Sequence, residues 1–322
     1  MKNTEPGEVS SALADAAADG RLGNFFRTCV RQRHLLYLAA PAFLVVFVFT
    51  YIPMYGVVVS FQNFHFVRGV FGSPWVGLRW FESFFASPYA FRIIRNQFLL
   101  GVLNFAIGFP APILLALLLN ELRSTGFKRS IQTLSYFPSF ISAVIIVGIL
   151  KEMAGLEGPV NALMARIGIE PVHFFALPEW FRSLYIGSDM WQSMGVGTII
   201  YLAALTQLNP ELYEASVIDG ANRLQKIRHV TIPGIAPTVI ILMILAVGQM
   251  IRNADTEKVL LMYNPQTYET ADIIGTYVYR QGILGANFSY AAAVGLLMSV
   301  VSFMFLYVTN LVSRRISDTS LW

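Results

Sequence analysis

Apolar residues in this chain gather into runs too long for the interior of a soluble domain. A helix needs roughly 20 mostly apolar residues to cross a bilayer. Six segments meet or approach that length: residues 35–61, 98–119, 131–150, 190–208, 235–251 and 290–311. The first two carry no charge from end to end, and the fifth is the shortest. Proline inside a span is tolerated where neighbouring helices cover the carbonyls it frees. Pro53, Pro110, Pro112 and Pro138 therefore predict a packed bundle with kinks rather than isolated anchors. The expected fold is an all-α membrane protein of six transmembrane helices over 35–312. A polar segment (1–34) precedes it and a short tail (313–322) follows.

The polar segment reads as no cleaved leader, because the apolar run after it is too long for a signal peptide's hydrophobic region. The Ala/Asp-rich stretch at 15–20 lacks the apolar residues to order itself. Residues 22–34, preceded by Arg21, interleave Phe25, Phe26 and Val30 with Arg27, Arg31 and Arg33. This fits a short helix lying on the membrane surface, and equally a plain positive flank.

Orientation follows from basic residues near span ends. With a cytoplasmic N-terminus, inside segments hold 13 Lys and Arg and outside segments 10. The stronger sign is density. Arg123, Lys128 and Arg129 and the pair Arg314–Arg315 sit directly against span ends. Both termini are thus expected in the cytoplasm. The three outside loops are long and contain Trp75, Trp80 and Trp180. These suit interfacial anchoring or contact with an external protein.

Composition agrees with this frame. Of the 322 residues, 55% are hydrophobic and only 13% charged, and mean hydropathy is +0.57. A soluble domain is about a quarter charged, so an ordinary cytosolic enzyme and a disordered chain are both excluded. The net charge of +4 is scattered around apolar runs and forms no nucleic-acid patch. A single cysteine, Cys29, leaves no disulfide framework or cysteine-rich metal site.

The most informative segment lies between the fourth and fifth spans, at 209–237. It reads Asn209-Pro210-Glu211-Leu-Tyr-Glu214-Ala215-Ser216-Val-Ile-Asp219-Gly220-Ala221-Asn222, and runs on to Val230-Thr-Ile232-Pro233. Asn209 is a good N-cap and Pro210 fits the first helical position. Glu211 suits the positive end of the helix dipole. Gly220 can adopt the left-handed conformation that stops a helix. Asn222 can cap a second helix, which Pro233 and Pro237 are expected to end before the fifth span. Two capped short helices fit a docking element for a cytoplasmic partner; the alternative is a helical linker.

The spacing Glu214-Ala215-Ser216, three residues, Gly220, nine residues, Val230, one residue, Ile232-Pro233 resembles the EAA loop of ABC importer permeases. It departs from that pattern conservatively, at Ser216, Val230 and Ile232. Further resemblances are Tyr51-Ile-Pro-Met-Tyr, Trp75-Val-Gly-Leu, Asn120-Glu-Leu, Tyr136-Phe-Pro, Asn264-Pro-Gln-Thr-Tyr-Glu, Thr276-Tyr-Val-Tyr-Arg280 and the closing Asn310…Ser320-Leu-Trp322. From about residue 35 to the end the chain is similar to carbohydrate-importer permeases of the polysaccharide-fragment branch, and within it to those of importers for alginate. The resemblance implies the type I importer permease fold in a bacterial cytoplasmic membrane. It also implies a second permease subunit, two ATP-binding subunits, an external solute-binding protein and an oligosaccharide substrate. The ATPase-coupling positions it implies are Glu214, Ala215, Ser216, Asp219, Gly220 and Pro233.

The chain itself shows no nucleotide site. A Walker A loop needs Gly-Lys followed by Ser or Thr, and none of the five lysines follows a glycine. ATP and magnesium are therefore expected on a separate subunit, with no cofactor here. For the substrate path, polar residues in or beside spans are the candidates: Asn104, Trp191, Gln192, Gln249, Arg252 and Asn253, with Asp189 and Asp255 nearby. Gln249, Arg252 and Asn253 fit one helix face, and Trp191 could stack on a sugar ring. Arg252 is open to another reading, a simple pair with Asp255 at the interface. Two other functions compete with this one. A proton- or sodium-driven transporter would want charge near span centres, which look uncharged. An intramembrane enzyme would want metal ligands, but His34, His65, His173 and His229 fall outside span centres.

Overall fold

The computed structural model describes residues 32–250 and 255–316. It forms two compact units, 1–58 and 59–322. Apart from one antiparallel bridge between Gln62 and Trp75, all regular structure among the described residues is helical. The first unit carries most of α1, an apolar helix over Leu36–Phe61. In the second unit, α2 is Arg79–Phe85, α3 is Ala90–Asn120, α4 is Thr125–Phe140 and α5 is Ala143–Met153. Then come α6 (Pro159–Arg166), α7 (Pro178–Thr206), α8 (Pro210–Ile218) and α9 (Arg223–Met250). The chain ends in α10 (Thr256–Met262), α11 (Tyr268–Ala271), α12 (Ile274–Val278) and α13 (Phe288–Ile316).

Four described helices, α1, α3, α9 and α13, are long and apolar enough to cross a membrane, and the α4–α5 pair would make a fifth. Length and apolarity alone thus do not reach six among the described residues. α7 has the length but carries Glu179, Arg182 and Asp189. The predicted fourth span opened at 190; the helix opens twelve residues earlier, at Pro178. Asp189, one residue outside the predicted span, lies well inside the helix α7.

The predicted third span, 131–150, is not one helix. It breaks into α4 and α5, which meet at 102°. Pro138 cannot donate the helical hydrogen bond, Ile141 is extended, and the Ser142 side chain accepts from Ile145 N–H to start α5 afresh. α7 then pins the break. Ser139 Oγ donates to the Gln192 carbonyl at 2.6 Å, and Gln192 Nε2 donates to the Ile141 carbonyl at 2.9 Å.

Two other prolines behave differently from expectation. Pro233 and Pro237 do not end the second loop helix, which runs unbroken from Arg223 to Met250 as α9. A π turn at Ile227–Thr231 lets Ile232 N–H reach the Ile227 carbonyl, five residues back. The widened turn accommodates Pro233, which has no N–H to place. The same device recurs at Phe47–Tyr51, where Ile52 N–H bonds the Phe47 carbonyl just before Pro53.

Three buried clusters hold the second unit. Ala116, Leu117, Tyr201, Leu205 and Ile235 pack at the end of the bundle that carries α8. Leu100, Phe181, Tyr185, Val259 and Met262 pack towards the opposite end. Phe84, Ile93, Tyr277, Tyr290 and Val294 join α2, α3, α12 and α13. Outward faces stay apolar, as at Leu114, Leu118, Phe303 and Met304. Such faces suit lipid contact, since a bilayer solvates apolar side chains.

Candidate functional site

The loop after α7 is built from its caps. Asn209 Oδ1 accepts from Glu211 N–H at 3.0 Å to start α8. Gly220 ends the turn with φ of +74°, and Ala221 N–H returns to the Ser216 carbonyl at 2.9 Å. Asn222 and Gln225 then exchange side-chain and backbone bonds of 2.8 and 2.9 Å, a capping box that starts α9. Tyr213 Oη and Thr231 Oγ1 lie 3.0 Å apart and tie the two helices together.

Of the coupling residues expected here, Glu214, Ala215, Asp219, Gly220 and Pro233 are exposed. Ser216 is not: it is buried, and its hydroxyl donates to the Tyr213 carbonyl at 2.7 Å. Asp219 and Gly220 line a cleft of about 380 Å³ together with Gln225, His229 and Val230. Sequence reading missed the apolar part of this surface. Ile218 is 86% exposed and Leu224 73%, with Leu212 and Val217 beside them. Together these side chains form an exposed apolar patch on the loop.

The second site lies within the bundle. An open cavity of about 350 Å³ is lined by Asn104, Phe105 and Gly108 of α3, Asp189, Ser193 and Tyr201 of α7, and Leu242, Ala246 and Met250 of α9. Asn104 Nδ2 donates to Asp189 Oδ2 at 3.0 Å. Behind Asp189 stands Lys258 of α10, whose side chain has no solvent exposure. Its ammonium lies 3.5 Å from Asp189 Oδ1 and donates to Gln192 Oε1 at 3.1 Å. Burial pulls the Lys258 pKa below its usual range, against the opposing influence of Asp189. Asp255, the residue read as a possible partner of Arg252, has a structural role of its own. Its carboxylate caps α10, accepting from Glu257 and Lys258 N–H, and its own N–H donates to Tyr185 Oη at 2.8 Å.

Among the six path candidates, Asn104 lines the cavity. Gln192 is drawn into the α4–α5 break and the Lys258 cluster. Trp191 and Gln249 are exposed and do not line the cavity. Arg252 and Asn253 lie outside the described residues. Lys258 was missed because it looks like an ordinary loop lysine; its placement depends on α10 folding back against α7.

At the bundle end opposite α8, Asp272 is fully buried. Arg280 holds it with two bonds of 2.8 and 2.7 Å, Thr276 donates at 2.8 Å, and Arg92 adds a longer contact of 3.4 Å. Desolvation opposes the Arg280 charge, but hydrogen bonds and charge from Asp272 prevail and hold its pKa above the usual range. The Arg280 guanidinium also sits 4.6 Å from the Tyr268 ring centre.

Residues 108–318 match the family described as binding-protein-dependent transport system inner membrane component. The chain is 39% identical over 294 residues to the polygalacturonan/rhamnogalacturonan transport system permease protein YteP of Bacillus subtilis (strain 168), covering 91% of each. It is 38% identical over 293 residues to Protein LplB of the same organism, covering 91% of this chain and 92% of that one. Among solved structures it is similar to a chain of a bacterial ABC transporter involved in the import of the acidic polysaccharide alginate. There the TM-score is 0.84 at 38% identity, covering 91% of this chain and 99% of that one. A bacterial alginate ABC transporter in complex with alginate pentasaccharide-bound periplasmic protein gives the same TM-score and identity, covering 92% and 99%.

Proposed function

The chain belongs to the inner membrane components of binding-protein-dependent transport systems, and on that premise we propose that it carries an acidic, polysaccharide-derived oligosaccharide. It is a permease subunit of a carbohydrate ABC importer, a protein with several membrane-crossing helices. The acidic substrate is supported by its relatives, one named for polygalacturonan and another imaged with alginate pentasaccharide on its binding protein.

One observation carries the path: the cavity between α3, α7 and α9, with the Asn104–Asp189 pair on its wall. Sugars present hydroxyl groups that both donate and accept. An amide beside a carboxylate offers both partners, and aromatic and aliphatic walls suit the apolar ring faces.

The loop 209–237 faces the cytoplasm, as do both termini, in a bacterial cytoplasmic membrane. There α8, the Gly220 turn and the start of α9 dock on a separate ATPase. Glu214 and Asp219 form the polar part of that contact, Ala215 lets the partner's surface approach closely, Gly220 makes the turn, and Ile218 and Leu224 are its apolar anchors. Ser216 supports the turn from inside and Pro233 sits where the loop enters the span. Because α9 is continuous, movement of the docked turn passes along one helix to the cavity wall at Leu242, Ala246 and Met250. ATP and Mg²⁺ belong to two ATP-binding subunits; a second, different permease subunit completes the path, and an external solute-binding protein delivers the sugar. No bond is made or broken by this chain.

The test is ATP hydrolysis by the complete importer in proteoliposomes. Binding protein carrying alginate or polygalacturonate oligosaccharides should raise the rate above that of empty binding protein. No rise with either sugar overturns the acidic substrate class.

A further inference from the structure

Arginine is crowded at the bundle end opposite α8. Arg92 and Arg95 open α3, Arg182 opens α7, and Arg280 follows α12. Asp272 is already taken by the two-bond grip of Arg280 and the contact from Arg92. Arg95 and Arg182 are left with neutral partners. Arg95 donates to the Glu269 carbonyl at 3.3 Å, and Arg182 donates to Asn96 Oδ1 at 3.2 Å. Neither forms an ion pair among the described residues.

Both arginines reach the same segment: Arg95 bonds the Glu269 carbonyl, and Arg182 bonds Asn96, which donates to that same carbonyl. Two guanidinium groups gathered there without an ion pair among the described residues leave an excess of positive charge. Arg182 Nε is in addition buried with no hydrogen-bond partner. A buried donor without an acceptor is unfavourable and needs an explanation. Asn96 cannot relieve it. Its side chain is fully buried, gives both of its donor bonds to the Glu269 and Asp272 carbonyls, and offers Oδ1 to Arg182.

Position supplies the rest. Arg182 precedes Asp189 by seven residues in one unbroken helix. That spacing is two turns, so the two side chains leave the same face, with Arg182 about 10 Å nearer the helix start. Arg182 therefore stands above the cavity wall on the side where a substrate enters. A groove of about 320 Å³ adjoins it, lined by Ser183, Ile186, Leu103 and Ile107.

We infer that Arg182 and Arg95 form a carboxylate-receiving station at the mouth of the path, which takes the uronate carboxylates of the incoming oligosaccharide one after another. The fork of a guanidinium matches a carboxylate with two parallel bonds, and exposed Arg95, held by a carbonyl at 3.3 Å, presents the donors that such a ligand reaches first. The aliphatic groove beside it receives the apolar face of the sugar ring. This rests on the acidic-substrate reading given above.

The experiment uses the complete importer with its binding protein in proteoliposomes. Uptake of alginate and polygalacturonate oligosaccharides is compared for wild type, Arg182→Lys, Arg182→Gln and Arg95→Gln. Loss of a charge-assisted pair should slow uronate uptake about tenfold in Arg182→Gln. Arg182→Lys should fall between it and wild type, and serves as the variant that keeps the fold. Binding of sugar-free binding protein to the importer should not change. Wild-type uptake with equally fast uptake by Arg182→Gln and Arg95→Gln overturns the station. Weakened docking of sugar-free binding protein assigns the arginines to that partner instead and also overturns it. Slow uptake that wild-type liposomes reproduce once anionic lipid is removed assigns them to lipid headgroups, with the same consequence. Failure of wild type to import either uronate oligosaccharide overturns the substrate class itself.

Discussion

Lys258 holds its ammonium 3.5 Å from Asp189, with no solvent exposure of its own, while Asp189 keeps 26% of its side chain exposed. The two charges are therefore unequal in what they need. Without Asp189 the lysine charge would be left fully buried, whereas without Lys258 the aspartate could still be solvated from the cavity and bonded by Asn104.

The asymmetry yields a stability prediction. Asp189→Asn should destabilise the purified complex by about 3 kcal/mol, as expected when a buried charge loses its partner. Lys258→Met should be milder, because it removes the buried charge itself. Thermal unfolding of the two variants checks the order, and a more damaging Lys258→Met would contradict the assignment of Lys258 as the dependent partner.

Gly220 concerns coupling. Its φ of +74° is accessible to glycine, while a Cβ there would meet nothing within 4 Å. Gly220→Ala should thus cost only about 1 kcal/mol of backbone strain and retain most uptake. Gly220→Pro forbids the positive φ and should separate ATP hydrolysis from uptake or release the ATPase. Sugar transported per ATP hydrolysed is the measurement; wild-type coupling in Gly220→Pro would reject the docking role of the turn.

The α4–α5 break predicts a contrast along α7. A Cβ on Gly195 would run into the Ser135 carbonyl, whereas one on Gly187 meets nothing within 4 Å. Gly195→Ala should cost about 1–3 kcal/mol through overpacking, and Gly187→Ala should be neutral. Equal melting temperatures for the two variants would show that α4 does not press on α7 at this point.

Topology can be tested directly. Accessible tags at residues 125 and 222 should report one side of the membrane, and tags near 70, 165 and 268 the other. If 125 and 222 report opposite sides, the bent α4–α5 pair and α7 cannot both cross.

Several features were legible because they depend on local chemistry. Asn209, Gly220 and Asn222 are a cap, a helix stop and a cap, and each acts through hydrogen bonds within a few residues. The long apolar runs in α1, α3, α9 and α13 were legible for a similar reason. A bilayer sets their length through a transfer energy summed residue by residue. The spaced pattern from Glu214 to Pro233 added family membership to these local readings.

What remained hidden depends on partners distant in the chain. Pro233 looked like a helix end, but a π turn lets α9 pass through it. The break at 141 is held by Gln192, about fifty residues later, so an uninterrupted apolar run could not reveal it. Asp189 looked like the boundary of a span because an unpaired charge is costly inside a membrane. The folded chain brings Lys258 and Asn104 to it, and the helix α7 runs on past it in both directions. The sequence by itself determined which stretches are long and apolar enough to match a bilayer in α1, α3, α9 and α13 and where the loop helices begin, since those choices rest on hydration and nearest-neighbour hydrogen bonds. Only the tertiary structure decided which charges are buried, which are paired and which are left facing the path, since charge energies depend on neighbours that no local window contains.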